Sequence, residues 1–72
     1  MGKPGEINKN KSYSSLEIIA ILRADGWVPY KAEGSHRQFK HPSKKGKVTV
    51  RHPDKDVPAK TFRSILKQAG LD

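Results

Sequence analysis

Three short runs of strand-forming residues, Trp27–Lys31, Ser35–His41 and Lys47–His52, follow one another with little between them. Only turn-forming residues around Glu33-Gly34 and the Pro-Ser-Lys-Lys-Gly segment 42–46 intervene. Parallel strands need a crossover of a dozen or more residues, so connections this short admit antiparallel neighbours only. The centre of the chain is therefore a three-stranded meander, ended by Pro53. A helix is predicted on either side. Ser14 followed three residues later by Glu17 has the form of a capping box. Ile18, Ile19, Ile21 and Leu22 supply an apolar stripe and Gly26 a left-handed stop, which sets the first helix at about Ser15–Asp25. Pro58 suits a first helical turn, Phe62, Ile65, Leu66 and Ala69 recur at i, i+3, i+4, i+7, and Gly70 ends the second helix. The order α-β-β-β-α makes this an α+β domain. Two amphipathic helices need an apolar sheet face to cover, so both are expected on one side, with the other face left to solvent or a ligand.

The domain is expected over residues 13–72. Residues 1–12 hold two Gly, one Pro and three Lys, with Ile7 the only sizeable aliphatic beyond Met1, and are expected to be a disordered leader. A domain this small buries only about 60% of the surface its unfolded chain exposes. With no cysteine, neither disulfides nor a Cys-based zinc site can supplement its core, and the composition fits a reducing cytosol. The longest aliphatic stretch, Ile18–Leu22, falls far short of the ~20 residues that span a bilayer. A cytoplasmic protein without a membrane partner is expected.

The net charge of +8 is concentrated. Between Lys31 and Lys55 stand eight cations (Lys31, Arg37, Lys40, Lys44, Lys45, Lys47, Arg51 and Lys55) against Glu33 and Asp54. Each phosphate such a cluster neutralises releases counterions and adds affinity, so the clustering favours a nucleic-acid partner over a merely solvated surface. Composition alone does not separate RNA from DNA.

Strand alternation distinguishes the three histidines. Burying Phe39 with Val48 and Val50 places His36, Gln38, Lys40, Lys47, Thr49 and Arg51 together on the opposite, polar face. His41 and His52 then fall on the helix side, each just before a proline. A different register would set His36 across from His52 as a two-imidazole pair, but it would strand both valines on the polar face. A bulge near the strand ends keeps His52 as a secondary candidate. An imidazole can act as general base or acid at neutral pH, so His36 can take the proton of a ribose 2′-hydroxyl while Arg51 and the lysines stabilise charge on the phosphate. Gly34 permits close backbone approach, and the amides around Gly34-Ser35-His36 can cup a phosphate. Taken alone, that tripeptide is more often an ordinary hairpin turn followed by a surface histidine. Trp27 and Tyr30 could stack on bases, although core packing is the commoner fate of aromatics in so small a chain. No His/Asp/Glu cluster has metal-ligand spacing. No P-loop or GxGxxG is present, and a Ser-His-Asp triad lacks a candidate buried acid.

The linked elements together resemble the HicA toxin family. They are Asp25-Gly26-Trp27, then Gly34-Ser35-His36-Arg37-Gln38-Phe39-Lys40-His41-Pro42, then Val48-Thr49-Val50 and His52-Pro53, and finally Ile65-Leu66-Lys67-Gln68-Ala69-Gly70-Leu71. The likeness spans about Ser14 to Leu71. It implies a fold like a double-stranded RNA-binding domain and the role of toxin in a type II toxin-antitoxin system. Such a toxin would be an mRNA interferase, an endoribonuclease that arrests growth by cutting mRNA without a metal or other cofactor. The resemblance places the catalytic role on His36 and the hairpin glycine on Gly34, with Ser35 beside it. It implies mRNA as substrate and a HicB-type antitoxin as protein partner. Two positions depart from the family pattern: Arg37 stands where a second histidine is frequent, and Arg51 where a proline is frequent. The RNA-binding residues expected from the charge pattern are Lys31, Arg37, Lys40, Lys44, Lys45, Lys47 and Arg51. The alternatives are a non-catalytic RNA-binding module of the same fold and a small structural or DNA-binding adaptor.

Overall fold

The computed structural model describes residues 12–71; the expectation of a disordered leader therefore lies almost wholly outside the described residues. The elements run α1 (Ser15–Ala24), β1 (Val28–Glu33), β2 (His36–Lys40), β3 (Val48–Arg51) and α2 (Ala59–Gln68), as the sequence predicts. The strands form one antiparallel sheet in the order β1-β2-β3.

The helix ends explain why the helices stop where they do. The Ser14 side chain accepts from the Glu17 amide while the Glu17 carboxylate accepts from the Ser14 amide, a reciprocal capping box. At the far end Gly26 takes φ +102°. The Trp27 N–H reaches the Leu22 carbonyl and the Gly26 N–H that of Arg23, both at 3.0 Å, which is a Schellman closure. α2 closes in the same way, with Gly70 at φ +73° and the Leu71 N–H on the Leu66 carbonyl at 2.8 Å. In each case a large apolar residue follows the glycine and folds back on the helix.

Both helices pack on one sheet face. Ile18 and Leu22 of α1, Phe62, Ile65 and Leu66 of α2, and Phe39, Val48 and Val50 of the sheet are buried together with Trp27, Val57 and Ala69. Tyr13 joins this layer from before α1. Its ring lies 4.4 Å from that of Phe62 and its backbone bridges to Val57. Each helix also contacts β3. The face turned away from the helices carries no layer of secondary structure among the described residues.

Candidate active site

The β2–β3 register decides which side chains share the uncovered face. His36 pairs with Arg51, Arg37 with Val50, Gln38 with Thr49 and Phe39 with Val48, without irregularity. Paired residues point to the same side of a sheet. Since Val48, Val50 and Phe39 are buried, His36, Gln38, Thr49 and Arg51 stand on the open side. The competing register, with His36 across from His52, is not adopted.

The β1–β2 hairpin completes the site. Gly34-Ser35 is a two-residue connection closed by the pair Glu33 and His36. Gly34 lies at φ +58° and Ser35 has a negative φ, the pattern of a type II′ hairpin with glycine leading. Closure puts three charged or titratable residues abreast across the sheet: Glu33, His36 and Arg51. Neighbouring strands lie about 4.8 Å apart, so this row spans about 10 Å, roughly one phosphodiester and its ribose. Among the described residues the His36 ring has no hydrogen-bond or ion-pair partner, and it is exposed, so both of its nitrogens are open to a ligand. A Cβ added at Gly34 would meet nothing within 4 Å, so the backbone at the turn is open to approach.

A second row lies one step along, made of Lys31, Gln38 and Thr49. Lys31 also sits 3.6 Å from Glu33, a solvent-exposed ion pair of little energetic weight. Between Pro29 and Lys31 the register shifts, and the bulged residue is Tyr30. Its hydroxyl donates to Gln38 Oε1 at 2.8 Å, which holds the ring on the open face. Lys40 Nζ stands 4.8 Å and Lys47 Nζ 5.7 Å from the ring centroid. Two ammonium groups thus converge on one aromatic ring, an arrangement that its negative face tolerates.

Several expectations change. Trp27 is core at 1% exposure, but Tyr30, 38% exposed, belongs to the polar face rather than to the core. The bulge is what turns it outward. Arg37 shares the helix side with Val50 and Phe39 and does not stand with His36. Lys44 is drawn off the basic face altogether. Its ammonium donates to Asp25 Oδ2 and to the Ala69 carbonyl, tying the β2–β3 loop to the ends of both helices. Lys45 remains exposed in that loop.

His41 and His52 are occupied. The amides of Ser43 and Lys44 donate to His41 Nδ1 at 3.0 and 3.1 Å, and its Nε2 faces the Asp25 carbonyl at 2.7 Å. Amides only donate and a carbonyl only accepts, so Nδ1 is the acceptor and Nε2 the donor. The Trp27 indole meets the same ring edge-on at 5.2 Å. The Asp25 carboxylate, bonded by Lys44 and Trp27, is held below its ordinary pKa chiefly by the Lys44 hydrogen bond. His52 Nδ1 lies 2.8 Å from the buried Ser15 hydroxyl, which also accepts the Asp54 amide. No bulge carries His52 across the sheet, so the structure does not bring it together with His36. Among the described residues no group of three His, Cys, Asp or Glu is placed to hold a metal ion, and no helix is long and apolar enough to cross a membrane.

Comparison with known proteins agrees with this architecture. A family model described as the HicA toxin of bacterial toxin-antitoxin systems matches residues 16–71. A chain in a solved structure described as a toxin-antitoxin complex from Streptococcus pneumoniae superposes with a TM-score of 0.67 at 29% identity, covering 79% of this chain and 95% of that one. No curated protein matches.

Proposed function

The chain belongs to the HicA family of toxins of bacterial toxin-antitoxin systems, and from that premise we propose that it is an mRNA-cutting endoribonuclease in which His36 is the general base. The observation that carries this reading is the row Glu33, His36, Arg51 on the open sheet face, with an unengaged imidazole at its centre. A neutral His36 ring accepts the proton of a ribose 2′-hydroxyl. The freed oxygen attacks the adjacent phosphorus, the bond to the 5′-oxygen breaks, and that oxygen leaves with a proton from water. The product is a 2′,3′-cyclic phosphate and a 5′-hydroxyl. Arg51 lies beside the imidazole, where charge builds on the phosphate oxygens, and a positioned donor of this kind contributes most in the transition state. Backbone amides at Gly34 and Ser35 can donate to the same phosphate from the turn side. Lys31, Lys40, Lys45 and Lys47 supply charge for the flanking backbone, and Tyr30 fixes two of these ammonium groups above the sheet.

These groups provide the base and the charge stabilisation without a metal ion, so cutting should proceed in EDTA. The antitoxin, on this reading a HicB-type protein, would silence the toxin by covering the open face, where the reacting groups are exposed. Incubation of purified protein with labelled mRNA in EDTA tests the proposal. Strand scission by the wild type and none by His36→Ala supports it. Binding without scission by the wild type assigns the fold to a non-catalytic RNA-binding module instead.

A further inference from the structure

β3 is one of the two edges of the sheet, and among the described residues a groove of about 360 Å³ runs between it and α2. His36 and Arg51 line it at the open face, so it begins where the scissile phosphate would lie. Its floor is apolar, with Val50 at 1% and Ile65 at 5% exposure. Its far wall is the exposed stripe Thr61, Ser64 and Gln68, spaced i, i+3, i+7 and therefore on one face of α2. Thr49 adds a fourth uncharged polar side chain from β3.

The edge strand contributes main-chain groups as well. The His52 N–H reaches the Ser35 carbonyl at 2.7 Å, so residues 35 and 52 form a hydrogen-bonded pair. Antiparallel pairs alternate, which turns the backbone N–H and C=O of Thr49 and Arg51 outward toward the groove.

The charge pattern narrows what such a groove accepts. In a chain of net charge +8, Arg51 is the only cation among the described residues lining it, and Asp54 adds a carboxylate. A phosphate would find little here. A nucleobase would find what it needs: an apolar floor for its ring and hydroxyl, amide and main-chain groups that both donate and accept for its edge.

We infer that this groove receives one unstacked base next to the cleaved bond and sets the sequence preference of the enzyme. Gln68, whose amide donates and accepts in one plane, reads the base edge, helped by Ser64 and Thr61. This inference rests on the nuclease reading for the position of the groove relative to the cleaved bond, but base selection is measurable without cleavage. The test uses His36→Ala protein and the four homopentamers of A, C, G and U ribonucleotides, with affinities read by fluorescence anisotropy. One pentamer should bind at least about tenfold more tightly than the weakest, and adding Gln68→Ala or Ser64→Ala should compress that spread to within about threefold. Both side chains are exposed, so a thermal melt within a few degrees of the parent should accompany each substitution. Equal affinity for all four pentamers, or a spread that survives both substitutions, overturns the inference and leaves the groove to a protein strand on the edge of β3. A wild type that cuts no RNA while base selection persists would defeat the nuclease reading alone.

Discussion

The two ends of β2 put the same side chain to opposite uses. His36 opens the strand on the exposed face with no partner for its ring, whereas His41, just past the other end, is bound through both nitrogens and packed against Trp27. A ring bonded on both nitrogens has its orientation fixed by its neighbours, and it serves as a spacer between loop and helix. A ring without partners leaves both of its nitrogens to a ligand. The difference follows from strand alternation and loop length rather than from anything intrinsic to histidine. Five residues along a strand reverse the face, and the loop after Lys40 curls its own amides onto His41.

This contrast is most sharply tested by exchanging the losses. His36→Ala should lower the cleavage rate by about 10²–10⁴-fold, the usual contribution of a general base, while moving the thermal midpoint by no more than a few degrees. His41→Ala should do the reverse. It removes two accepted amide bonds, one donated bond and an aromatic edge contact, about 2–3 kcal/mol together, which in a domain this size lowers Tm by about 10 °C or more. At a temperature where it is still folded, the cleavage rate should remain within a few-fold of wild type. If instead His41→Ala abolishes cutting in folded protein, the division between the two ends fails.

Arg51→Ala extends the comparison along the row. A loss of about 10–100-fold in cleavage rate with an unchanged melt is expected, together with a shallower dependence of RNA affinity on salt. The glycines provide a further pair. A Cβ at Gly26 would sit 2.8 Å from His41 Nε2 at φ +102°, so Gly26→Ala should destabilise by about 2–3 kcal/mol. Gly34→Ala meets no atom within 4 Å and bears only the strain of its positive φ, about 1 kcal/mol. A rate loss in Gly34→Ala well beyond its stability loss would show that phosphate approaches the turn backbone.

The smallest effect concerns pH. Lys44 holds Asp25 below its ordinary carboxylate range, so their interaction contributes fully at neutral pH and is lost as acid protonates Asp25 in the folded protein. The stability deficit of Lys44→Met should therefore be constant from pH 6 to 8 and shrink below about pH 4, as read from urea unfolding at each pH. A deficit that grows in acid would contradict this assignment of the ion pair.

The open face was legible because its determinants are local. Alternation within Ser35–His41 and Lys47–His52 sorted His36 and Arg51 from Phe39 and the valines, and the capping residues Ser14, Glu17, Gly26 and Gly70 marked both helices. The outward position of Tyr30 is not legible in the sequence, because a bulge depends on how two strands pair, which a single strand does not encode. Glu33 reads in the sequence only as a turn residue and a counter-charge for a related reason, since it joins His36 only when the Gly34-Ser35 turn closes as a two-residue hairpin. Lys44 looked like one more member of a basic run. Its engagement by Asp25 and the Ala69 carbonyl requires three distant segments to meet, and nothing in the charge pattern signals that. The stripe Thr61, Ser64, Gln68 was visible in the sequence as a polar helix flank, but it becomes a groove wall only beside the edge of β3.

The central claim is that His36 removes a ribose 2′-hydroxyl proton. An RNA oligonucleotide carrying a single 2′-deoxy substitution at the preferred cleavage site addresses it directly, with product ends identified by mass spectrometry. The account predicts that the unmodified strand yields a 2′,3′-cyclic phosphate and a 5′-hydroxyl in EDTA, and that the substituted strand resists cutting at that bond. Cleavage of the deoxy-substituted bond at the normal rate would contradict it.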